Sequence, residues 1–114
     1  MTNTIYSQVR EYSFMRWTQE ASTWEGAQVK GKINCFGDDF LLLLLFLEKG
    51  SPVPPPKVHH WATKKKVDLF LPGDEMQSFI DMLRHEKHVF VHIDLEHPER
   101  THLTTEKNQG KEVK

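Results

Sequence analysis

The chain predicts an α+β fold: a small, curved, mostly antiparallel β-sheet or partly open barrel carrying one amphipathic helix between its late strands. Three observations carry this. The helix-period stripe Met76, Phe79, Ile80, Leu83 is flanked by strand-like segments. Val89, Val91, Ile93 and Leu95 then alternate with His88, Phe90, His92, Asp94 and Glu96. Phe40 to Leu47 is an unbroken apolar run between two turn signals. With 114 residues the chain is long enough for one core and one domain, expected over 1–105, with a disordered polar tail at 106–114.

Taken in order, MTNT is expected to fray. Ile5 to Trp17 suits a strand at Tyr12–Met15, while its earlier part also allows a helical turn. Thr18 to Thr23 is polar and loop-like. Trp24 to Phe36 reads as one strand, with Gly26 and Gly31 permitting bends or bulges. These glycines make it a candidate edge strand. Gly37-Asp38-Asp39 suits a hairpin turn. Phe40–Leu47 fits a strand buried on both faces, with a short helix capped by Asp38 as the alternative.

Ser51 to Pro56 holds four prolines in six residues, which excludes helix and central strand and favours a stiff surface crossing able to shield a sheet edge. Val67 to Leu71 is a strand, and Pro72-Gly73 ends it. The helix is expected at about 74–85, with Asp74 as cap and Gln77 completing a capping-box pair. Arg84, His85 and Lys87 suit its C-terminal end. Pro98 ends the next strand, and Thr101–Thr105 is a short final one. From Trp24 onward, three strands, a helix and two strands match the element order of an OB-like barrel.

The formal net charge of −1 excludes a globally basic nucleic-acid binder, so any electrostatic function rests on local clusters. A single cysteine, Cys35, and no signal-like N-terminus point to a reducing, cytoplasmic setting. The leucine run is too short to cross a bilayer, and no membrane partner is expected. Cys35 reads as a buried small hydrophobe. No stretch carries a catalytic or phosphate-loop motif, so neither a catalytic residue nor a cofactor is expected.

Three surfaces remain as candidates. Trp17 and Trp24 suit a protein interface, since aromatic residues anchor interfaces, although they also fill the cores of small β domains. Lys57, His59, His60, Trp61, Lys64, Lys65 and Lys66 form the one basic-aromatic cluster. There lysines meet phosphates and tryptophan stacks on a base, or else the tryptophan packs on the sheet beside solvated lysines. His92, Asp94 and Glu96 alternate on one strand, with His88 extending the row and His97 and His102 near the following turn. That spacing suits a divalent metal or a solvated strand face.

The first expectation is therefore a non-enzymatic binding or adaptor module, acting as a homodimer. The alternative is a single-stranded nucleic-acid binder on an OB-like barrel. Metal or small-molecule binding at the histidine-rich strand comes third.

Overall fold

The structure, a computed structural model, describes residues 4–60 and 63–105. The expectations for residues 1–3, for Trp61 and for the tail at 106–114 lie outside the described residues.

The fold is α+β, with two sheets of mostly antiparallel strands, one helix and no closed barrel among the described residues. The larger sheet contains β2 (Glu11–Arg16), β3 (Ser22–Trp24), β4 (Ala27–Phe36), β5 (Phe40–Leu47), β6 (Lys57–His60) and β7 (Lys65–Pro72). Its order is β2-β4-β5-β7-β6, with β3 continuing along the flank of β4 that β2 occupies. The smaller sheet joins β1 (Thr4–Gln8), β8 (Phe90–Asp94) and β9 (His102–Thr104) in the order β1-β8-β9.

The segment from Ile5 to Trp17 is thus two strands in two different sheets. The chain steps from one to the other at Val9 and Arg10, whose amides bond to Val89 and Phe36. The stretch Trp24–Phe36 is likewise not one strand. Glu25 and Gly26 both take positive φ, at 51° and 82°, which makes a tight two-residue hairpin between β3 and β4. Nor is β4 an edge. It is flanked by β2 and β3 on one side and β5 on the other, so among the described residues the edges of the larger sheet belong to β2 with β3 and to β6.

β4 also changes face. Val29 stands opposite Leu47 and Gly31 opposite Phe46, so Lys30 is an extra residue in a bulge. Before it, Ala27 and Val29 face one side of the sheet; after it, Ile33 and Cys35 face the other. At Gly31 an added Cβ would lie 2.5 Å from Met76 Sδ, so the missing side chain makes the room that Met76 of the helix occupies.

β5 is a strand, as expected from its bounding turns. It pairs antiparallel with β4 and parallel with β7. A strand in mid-sheet with apolar material on both faces must be apolar throughout, which accounts for the leucine run. The proline segment then carries the chain past β7 to the far edge, where β6 pairs antiparallel with β7.

A 3-10 turn over Gly73–Glu75 leads into α1 (Met76–His85). The capping expectation is not met. Asp74 lies inside the turn, the N-cap is Glu75 with φ −92° and ψ −5°, and no side chain caps the helix. An N-cap side chain needs extended backbone to reach the next amides, and this tight entry denies it. Gln77 instead donates to Asp81 at 2.9 Å, one turn on.

Met76, Ile80 and Leu83 are buried and Phe79 is half-buried. They pack with Val89, Val91 and Ile93 and with Leu42, Leu44 and Phe46 of β5, forming the main core on one face of the larger sheet. A second apolar cluster, made of Ala27, Val29, Leu43, Leu45, Leu47 and Phe70, lies on the opposite face.

Candidate binding surfaces

β2 is the most exposed element of the larger sheet, all six of its residues being exposed. Tyr12 is 37%, Phe14 45% and Met15 49% accessible, so an edge with one unpaired backbone side also carries large apolar groups. The Tyr12 and Phe14 rings lie parallel, 6.3 Å apart. Their partners across the ladder are Cys35 and Ile33, while Ser13 and Met15 occupy the opposite face. Asn34 donates to Ser13 Oγ at 3.1 Å.

Trp17 and Trp24 lie close to this strand in the chain. Both are half-buried and pack against the second apolar cluster. Lys32 Nζ sits 5.4 Å above the Trp24 ring. Only part of each indole is therefore offered outward.

The basic stretch folds as β6 and the start of β7, and several of its charges already have partners. Lys57 Nζ lies 2.9 Å from Glu25. Asp68, buried on β7, receives Lys66 Nζ at 3.0 Å and contacts His59 Nε2 at 3.2 Å. Lys64 and Lys65 are half-buried, and His60 is exposed. Glu25 and Asp68 thus offset much of the charge a phosphate would meet. β6 is not evident in the sequence because KVHH is short, has Val58 as its one apolar residue and takes its place by pairing with β7.

On β8 the expected trio separates. Asp94 Oδ1 accepts the backbone N–H groups of Glu96 and His97 at 3.1 and 3.0 Å, closing the turn that ends the strand. Glu96 falls beyond the strand. Among the described residues no group of three or more His, Cys, Asp or Glu side chains is arranged to hold a metal ion.

His92 instead meets two rings that the local spacing along β8 does not join to it. Its ring stands edge-on to Tyr6 at 5.9 Å and 5.1 Å from that of His102. Tyr6 in turn stacks on Phe90. The period-two pattern of β1 holds Tyr6, but only strand pairing tells which histidine it meets.

Cys35 is fully buried, and burial pushes its thiol up to about 12. A cleft of 460 Å³ lies between Lys30, Leu47, Val53 and Pro72, with Lys49, Glu48 and Asp74 also in its wall. Its charges are mixed and favour no ligand sign. No helix among the described residues is long and apolar enough to cross a membrane. Set against known proteins, the chain matches no family model, no curated protein and no solved structure.

Proposed function

We propose that the protein is a small binding module that acts as a homodimer, joined through the free edge of β2. The observation that carries this is the exposure of Tyr12, Phe14 and Met15 on an unpaired edge strand. Such an edge is a template for another strand.

A second copy of the chain suits it. A two-fold axis normal to the sheet sets residues of the same face opposite one another. With Ser13 on that axis, Tyr12 of one copy lies opposite Phe14 of the other, twice over. Aromatic cross-strand pairs are among the stabilising ones. A stable dimer buries roughly 1,200–2,000 Å² in total, more than one strand supplies. The outward parts of Trp17 and Trp24 extend the contact.

Light scattering at micromolar concentration should report twice the monomer mass. Phe14→Glu should return the monomer with little change in melting temperature, because Phe14 is outside the core. A monomer mass for the unaltered chain across that range removes the proposal. A dimer that survives Phe14→Glu keeps the association and moves it to another surface.

A further inference from the structure

We propose that the cleft at the ends of β5 and β7 binds a small zwitterion, an α-amino acid with an apolar side chain, whose carboxylate meets Lys30. β5 and β7 are parallel neighbours that end together, Leu47 beside Pro72. From there the chain leaves in two directions. Glu48 turns back toward β4, its amide donating to the Gln28 carbonyl, and the prolines then carry the chain to β6. Pro72 leads instead through the 3-10 turn into α1, which packs on the main core. Exits that diverge at the carboxyl ends of parallel strands leave a crevice between them, and in open α/β sheets such a crevice holds the ligand. Here it measures 460 Å³, in the size range of small-molecule sites.

The bulge delivers Lys30 to this cleft. As the extra residue between Val29 and Gly31 it stands outside the alternation of β4, and a bulge re-aims the side chain it carries. Gly73 completes the placement. A Cβ there would lie 2.5 Å from Lys30 Cε and 3.2 Å from Lys30 Nζ, so the missing side chain leaves room for the lysine stem against the turn. Lys30 is half-buried, and its ammonium has no ion pair or hydrogen-bond partner among the described residues. A partly desolvated charge without a partner is costly. A carboxylate in the cleft offsets that cost with a charge-assisted hydrogen bond.

The rest of the wall selects the rest of the ligand. Glu48 and Asp74 stand in it, both exposed and neither paired with a cation among the described residues. They oppose a phosphate or a second carboxylate and attract an ammonium. The anion that suits Lys30 here must therefore carry a positive group as well, and an α-amino acid carries both signs on one carbon. Leu47, Val53 and Pro72 form the apolar part of the wall. Val53 is 67% exposed, the most of any large apolar residue described. An apolar side chain lying on it removes that surface from water.

The test is an NMR titration of the isotope-labelled chain with L-phenylalanine, L-leucine, phenylalanine amide, N-acetylphenylalanine and inorganic phosphate. The two free amino acids should bind at millimolar concentration or below, and the backbone amide signals of Lys49, Gly50 and Gly73 should move as they do. Phenylalanine amide and N-acetylphenylalanine each lose one charge and should bind about 10- to 150-fold more weakly, the worth of one charged hydrogen bond. Lys30→Met should weaken phenylalanine by a similar factor. It keeps the stem beside Gly73 and removes an unpaired charge, so the melting temperature should not fall and lost binding is not lost fold. Lys30→Arg should keep most of the affinity. No binding of either amino acid at millimolar concentration, phosphate or N-acetylphenylalanine binding as tightly as phenylalanine, shifts confined to other parts of the chain, or unchanged affinity in Lys30→Met would overturn the proposal. No residue of β2 lines the cleft, so Phe14→Glu should leave this binding intact, and each proposal can fail without the other.

Discussion

Lys66 Nζ lies 3.0 Å from Asp68 Oδ1, two residues along the same face of β7, and His59 Nε2 approaches the other carboxylate oxygen from β6. Asp68 is 7% exposed and shares its sheet face with Leu43 and Phe70. A carboxylate so placed is tolerable only while the Lys66 ammonium and the His59 ring nitrogen stay beside it. Asp68→Ala should cost roughly 2–4 kcal/mol in urea unfolding, somewhat under the full value for a buried pair because His59 remains partly wet. The double change Asp68→Leu with Lys66→Met should recover most of that loss, since an apolar pair needs no desolvation.

Phe46 and Phe79 are in ring contact, with centroids 5.8 Å apart, yet they differ in burial. Phe46 is fully buried in the strand and Phe79 half-buried on the helix. Phe46→Ala should therefore cost about 3–5 kcal/mol and Phe79→Ala roughly half as much. Equal losses would show that the helix sits deeper on the sheet than its exposure implies.

Gly31 lies beneath Met76. An added Cβ would lie 2.5 Å from Met76 Sδ and 3.2 Å from the Met15 carbonyl oxygen. The thioether can swing aside, but the carbonyl is held by the strand. Gly31→Ala should destabilise by about 1–3 kcal/mol. Combined with Met76→Ala it should cost less than the sum of the two single changes, because the side chain that the new methyl displaces is gone. Strict additivity would place the helix away from the bulge.

The Cys35 thiol is raised from 9.0 to about 12 by burial. Its proton is therefore kept by the folded chain and released by the unfolded chain as pH climbs above 9.0. The stability this contributes is whole below that pH. It is lost upward at about 1.4 kcal/mol per pH unit until the folded thiol itself ionises. Cys35→Ala should lack this slope in alkaline unfolding curves. The native thiol should react slowly with a disulfide reagent at neutral pH and fast in urea.

Parts of this were readable along the chain. The stripe Met76, Phe79, Ile80, Leu83 and the alternation from Val89 report local periodicity, and each element faces the core the pattern demanded. The run at 40–47 fits a strand with apolar clusters on both faces. Other parts were hidden. Glu25-Gly26 is a tight hairpin although Glu25 is not a usual left-handed residue, so β3 and β4 read as one strand. The bulge at Lys30 reverses the inward positions, which blurs the alternation. Asp74 looked like a helix cap until the 3-10 entry placed it one residue before the N-cap, Glu75.

The chain by itself determined which segments have an apolar side, because amphipathic periodicity is a record of local contact with solvent. Only the tertiary structure decided that β2 rather than β4 lies at an edge, that Asp68 takes up His59 and Lys66, and that His92 meets Tyr6 and His102. Strand neighbours are joined by backbone hydrogen bonds, which every non-proline residue can make. Which distant strand supplies them depends on how all the apolar faces are buried together, and that is a property of the folded chain as a whole.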